Sequence, residues 1–155
     1  MKMHKSTCVI QNIEERIYQV EMNSQIKFPI NYINFIKENN LGVPLTNKFL
    51  YNNHEYVIDR FTGFLNDFRT NPLGDFDIAV ILSQIELRLT DNPDLVGDEQ
   101  IPIAVLFCGD LICLDFRLNK INPQIAIWFH ETSEEFNPNI SVIFKTFDNF
   151  INNLL

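Results

Sequence analysis

Cys108, Cys113 and His130 are the residue types that a metal centre or a thiol nucleophile requires. Their spacing suits neither. C-x4-C with one distant histidine leaves a fourth metal ligand unnamed, and a buried structural cysteine is the simpler account. Cys108 belongs to the apolar run IPIAVLFCGDLICLDF, Ile101–Phe116. Burial there raises a thiol pKa, the opposite of nucleophile activation. Asp110 and Asp115 could form a carboxylate pair for acid–base work. More simply, Asp110 is a turn residue beside Gly109, and Asp115 marks where the strand leaves the core. Trp128 could stack on a ligand, but a lone Trp within a strand is ordinary core. The chain has no Walker loop, no G-x-G-x-x-G, no H-E-x-x-H and no G-x-S-x-G, and its five glycines are dispersed. The expectation is a protein with no catalytic residues, no cofactor and no metal.

The elements that would carry these residues read as follows. Val9, Ile10, Ile13, Ile17 and Val20 recur at helical spacing, which predicts a helix over 6–22. Pro29 opens a second helix with Tyr32, Ile33, Phe35 and Ile36 on its buried stripe, closed by Asn39, Asn40 and Gly42. Asn52 and Asn53 predict a tight hairpin between strands at 49–51 and 55–61. A loop over 63–75 is followed by a short helix over 77–89 and an acidic loop over 91–100. Gly109-Asp110 fits a two-residue type II′ turn, which pairs Cys108 with Leu111, Phe107 with Ile112 and Leu106 with Cys113. That register puts Ile103, Val105, Phe107, Ile112, Leu114 and Phe116 on one face, packed on helices that include Phe147 and Phe150. Ala104, Leu106, Cys108, Leu111, Cys113 and Asp115 take the other. A hairpin so apolar on both faces belongs in the middle of a sheet. A further strand spans 125–130, a polar loop follows, and Thr146 caps a last helix whose stripe is Phe147, Phe150, Ile151 and Leu154. The fold class is α+β: a single domain over 1–155, with a central, mostly antiparallel sheet flanked by N-terminal and C-terminal helices.

Composition narrows the function. With 155 residues, 46% hydrophobic and 21% charged, the chain can bury a substantial core. The net charge of −8 argues against direct nucleic-acid or anionic-lipid contact and favours a basic partner. No apolar run is long enough for a membrane span or a signal peptide, so the expected location is cytoplasmic and the thiols reduced.

In order along the chain, these features resemble the SUKH superfamily, which includes SMI/KNR-type regulators of cell-wall synthesis and bacterial toxin-immunity proteins. Glu21, then Pro29, Tyr32, Phe35 and Ile36, resembles the family's opening E…LPxxYxxFL. Asn40 and Gly42 stand where the family has Asn-Gly-Gly, with Leu41 interrupting. Pro102, Gly109, Asp110 and Asp115 resemble its central PIA…G(N/D)xxxxD, and Thr146, Phe147 and Phe150 its closing SFxxFL. The resemblance implies a non-enzymatic intracellular immunity protein that neutralises a cognate protein toxin, often a nuclease, or else a protein-interaction scaffold in wall synthesis. Toxin binding would fall to acidic loops: Asp91, Asp94, Asp98 and Glu99 in one, and Glu131, Glu134 and Glu135 in the other. Both are expected near one end of the sheet. Asp67, Asp75 and Asp77 form a weaker third group, with Phe68, Leu73 and Phe76 as apolar anchors.

Overall fold

A computed structural model describes all 155 residues. Its chain order is β1 (Met3–His4), α1 (Glu14–Ser24), α2 (Ile30–Asn39), β2 (Val43–Pro44), β3 (Lys48–Tyr51), β4 (His54–Phe61), α3 (Ile78–Ile85), β5 (Gln100–Leu106), β6 (Leu111–Asp115), β7 (Gln124–Trp128), β8 (Ile140–Phe144) and α4 (Phe147–Asn152). Strands β3 to β8 form one six-stranded sheet in sequential order, every neighbouring pair antiparallel; β1 and β2 pair separately. The architecture is α+β, as the sequence predicts.

The sheet curls until its edges approach. Phe49 of β3 and Phe144 of β8 have ring centroids 6.3 Å apart, and Phe150 of α4 lies 5.7 Å from each. This concave face is closed by α2 and α4 through Phe28–Phe116, Phe35–Phe61 and Tyr32–Phe147. Edge-to-face rings bury large areas at favourable geometry, and eight of the chain's 14 phenylalanines pack in these contacts. On the opposite face, Trp128 is buried beneath the turn that follows α3, and its Nε1–H donates to the Arg88 carbonyl at 2.8 Å.

The central hairpin is β5–β6, and it does lie mid-sheet with both faces covered. Its register differs from the expected one. Val105 pairs with Leu111, Ala104 with Ile112, and Pro102 with Cys113, with an irregularity between Pro102 and Ala104. Two causes combine. The turn spans three residues: Gly109 N–H returns to the Leu106 carbonyl, and Gly109 takes φ +88° at its last position. Pro102 has no N–H to donate, and a bulge forms beside it. A shifted register moves side chains between faces. Ile112, Leu114 and Phe116 are buried as expected, but Val105 lies on the Leu111 face, and Phe107 stands in the turn, 72% exposed. Cys108 is likewise exposed in the turn, while Cys113 is buried.

Three other expectations are corrected. Residues 8–13 are not helical, and Ser6 and Thr7 belong to a single 3-10 turn over Lys5–Thr7. Val9 N–H pairs with the Asn40 carbonyl, and Asn12 Oδ1 accepts the Glu14 N–H where α1 begins, so Ile10 is exposed. The left-handed residue after α2 is Leu41 (φ +59°), not Gly42. Gly42 instead packs closely under the N-terminal segment: a Cβ there would lie 2.4 Å from Met3 Cε and 2.8 Å from Cys8 Sγ, and those side chains would have to shift. Strand β8 fills a stretch left unassigned before Thr146. The Asn52-Asn53 turn (φ +50° and +59°) and the Thr146 cap, whose hydroxyl accepts the Asn149 N–H at 3.2 Å, form as expected.

Candidate functional site

The residues of the sequence motifs act as internal fasteners. Glu21, buried near the end of α1, accepts the Phe28 N–H and the Lys27 ammonium, each at 2.9 Å, and so holds the connection that leads through Pro29 into α2. Asn40 donates to the Val9 and Phe64 carbonyls and accepts the Phe64 N–H, at 2.8–3.1 Å. Asp110 accepts the His130 N–H through one oxygen and the Cys108 thiol through the other, at 2.8 and 3.1 Å. It thereby ties the β5–β6 turn to the end of β7. Partial desolvation, together with the Asp110 carboxylate, pushes the Cys108 thiol pKa up; burial does so to Cys113 far more strongly. Neither cysteine is poised as a thiolate. Asp115 forms a forked pair with Arg117, Oδ2 to the guanidinium at 2.7 Å.

Asp77 cannot serve a partner as a surface carboxylate. It is fully buried as the N-cap of α3, accepts N–H groups from Ala79, Val80 and Leu65, and pairs with Arg16 at 2.8 Å. Asp67 and Asp75 are exposed. Phe68, Leu73 and Phe76 are half-buried; Phe68 lies under Arg16 (4.6 Å) and Phe76 near Arg60 (5.4 Å), so the two rings are engaged by α1 and β4 rather than by the acidic loops.

The two acidic loops leave the sheet at opposite ends, because Gln100 and Trp128 stand at opposite ends of the β5–β6–β7 ladder. They nevertheless meet. The loop after β7 folds back, and the Phe136 N–H donates to the Leu87 carbonyl at 2.7 Å. Arg88 clamps the return by donating to the His130 and Ser133 carbonyls while its guanidinium sits 5.0 Å from the Trp128 ring centre. Asp91 and Glu99 then share a small depression with Asn137 and Pro138, and Glu135 shares another with Glu86 and Arg88. Residues 86–99 and 129–139 hold eight carboxylates and one arginine, a charge of −7 against −8 for the whole chain with His neutral. The acidity is therefore local. Asp91, Asp94, Glu131, Glu134 and Glu135 are exposed; Glu99 is half-buried and pairs with Lys120 at 2.6 Å; Asp98 is half-buried. Glu86, Leu87, Arg88 and Phe136 were not singled out from the sequence. The available signal was Phe136, an aromatic residue within a polar Glu-Glu-Phe-Asn-Pro run.

The largest groove, about 510 Å³, lies elsewhere, between the α1–α2 connection, the β6–β7 loop and the start of α4. Its ionisable lining is Lys27, Lys145 and Asp148, and Lys27 is already paired with Glu21.

A family model described as SMI1-KNR4 cell-wall (SUKH_6) matches residues 14–151. The chain belongs to the SUKH family. The matched span runs from the first residue of α1 almost to the end of α4, so it takes in the whole curled sheet and the buried fasteners. No curated protein and no solved structure matches the chain. In this SUKH chain no helix is long and apolar enough to cross a membrane.

Proposed function

We propose that this SUKH protein is a non-catalytic immunity protein that binds a basic protein toxin, such as a nuclease, through the face made by residues 86–99 and 129–139. The supporting observation is that these two loops, clamped together by Arg88 and the Phe136–Leu87 hydrogen bond, carry a formal charge of −7 against −8 for the whole chain, beside Arg117 and Lys120, which Asp115 and Glu99 pair. A nuclease needs a basic surface to hold its substrate, and an acidic inhibitor can occupy that surface. Complementary charge raises the association rate, with screening over about 8 Å at physiological ionic strength. The test is capture of the product of the neighbouring gene from the source genome, followed by stopped-flow association. Reversing Asp94, Asp98, Glu134 and Glu135 together slows association at least tenfold at low salt and flattens its salt dependence. An unchanged rate and salt slope rule out this face.

A second reading, a scaffold in cell-wall synthesis, is favoured by the wording of the family description. It predicts capture of wall-synthesis proteins in place of a toxin, and no protection of cells that express one.

A further inference from the structure

Between the two acidic loops lies a cavity of about 190 Å³. Two of its lining groups are carboxylates, Glu86 and Asp98; Leu87, Leu95 and Phe136 supply apolar wall. Drug-sized ligands occupy roughly 300–1,000 Å³, so this space suits one long side chain and not a small-molecule substrate. An apolar wall leading to two carboxylates matches an aliphatic stem that ends in a cation.

The position of Asp98 is set by the backbone. Its N–H donates to Ser24 Oγ, at the end of α1, at 3.1 Å. The preceding Gly97 has φ +79° and lies so close to α1 that a Cβ would fall 2.4 Å from the Asn23 carbonyl oxygen. The loop is thus pressed onto α1, which holds the Asp98 carboxylate in place without any hydrogen bond of its own from the protein. Phe136 closes the other side with φ +53°, a left-handed backbone that a bulky residue rarely adopts, held by its bond to Leu87. Arg88, the one cation of these loops, donates to carbonyls outside the cavity.

We propose that this cavity receives a single lysine or arginine side chain of the basic partner, its aliphatic stem along Leu87, Leu95 and Phe136 and its charged head between Glu86 and Asp98. Burial, and next the Glu86 carboxylate, push the Asp98 pKa up to about 6. An arriving cation relieves both penalties, so Asp98 offers more to a charged guest than a solvated surface carboxylate does. The inference rests on the acidic-face reading and names the point at which that face is most selective.

The test uses the whole protein and needs no toxin. ¹⁵N-labelled protein is titrated at pH 7.5 with the amides of N-acetyl-lysine, N-acetyl-arginine and N-acetyl-norleucine. Both cationic probes produce saturable shifts at the amides of Leu87, Leu95, Asp98 and Phe136, and the norleucine probe does not. The response is lost in a Glu86→Gln, Asp98→Asn double variant and kept in a Glu15→Gln, Glu38→Gln double variant, whose exposed carboxylates lie outside the two loops. Linear shifts spread over every exposed carboxylate, or a response that survives the first variant, overturn the proposal. Should that variant fold poorly, the carboxyl ¹³C titration of Asp98 in the unaltered protein decides. Its midpoint falls by at least half a pH unit with saturating lysine probe, and an unmoved midpoint overturns the proposal. A negative probe titration beside charge-dependent toxin capture removes the cavity and leaves the immunity role standing. Specific probe binding with no captured toxin does the reverse.

Discussion

Asp77, at the start of α3, accepts three backbone N–H groups and an Arg16 guanidinium; Asp98, at the end of the following loop, accepts no hydrogen bond and faces Glu86. Both carboxylates are drawn back from water, yet their surroundings are opposite. The first belongs to a network in which each charge and donor has a partner, joining α1, the Leu65 segment and α3. The second carries a charge that the protein does not answer. A buried carboxylate with all its partners is framework, whereas one placed without any is a position where something from outside can bind.

Substitutions put the contrast to work, beginning with the largest effect. Asp77→Ala leaves Arg16 with an unanswered buried charge and removes the α3 cap, and urea denaturation should show a loss of about 3–5 kcal/mol. Asn40→Ala strands the Val9 and Phe64 carbonyls and the Phe64 N–H inside the protein, for a loss of about 2–3 kcal/mol in the same assay. Asp98→Asn has the opposite sign. The folded-state pKa is raised to about 6, so the native state favours the protonated carboxyl, and that group's contribution to stability declines as pH rises from about 4 to about 6. The amide removes this decline and stabilises the protein by about 1 kcal/mol at pH 7, the burial penalty being reduced by solvent that still reaches the group; the gain fades below about pH 4. A loss of stability at pH 7 would end the distinction between the two sites. Glu134→Lys with Glu135→Lys changes stability by no more than about 0.5 kcal/mol while still slowing association with a basic partner.

Where side-chain type dictates backbone shape, the fold was legible. Asn52-Asn53 makes its turn, Pro29 stands at the entrance to α2, Thr146 caps α4, and the apolar run becomes the middle of the sheet. What escaped was decided by tertiary contact. Val9 and Ile10 keep a helical period, but the Asn40 carbonyl holds Val9 extended. Glycine at the β5–β6 turn is compatible with more than one loop length, and the bulge beside Pro102 leaves no mark in the alternation pattern. Leu41 takes a left-handed backbone between Asn40, whose side chain bonds the Phe64 backbone, and Gly42, whose carbonyl accepts the Phe61 N–H. At the candidate site, local charge identified the acidic residues. Their meeting depends on a loop folding back across its neighbour, and local charge cannot encode that.

The curled sheet also bears on self-association. On the outer side of β3, the Lys48 N–H and carbonyl are both taken by Leu155, at 3.1 and 2.8 Å, and the strand ends three residues later. A strand added at that edge would have to displace Leu155, whereas no segment of the chain pairs with the outer side of β8. Two copies joined β8 to β8 would be related by a two-fold axis, with the β3 border of each, covered at Lys48 by Leu155, facing outward. Further growth at that border would first have to displace Leu155 from β3, so the two borders of one sheet are unequal in what they can recruit.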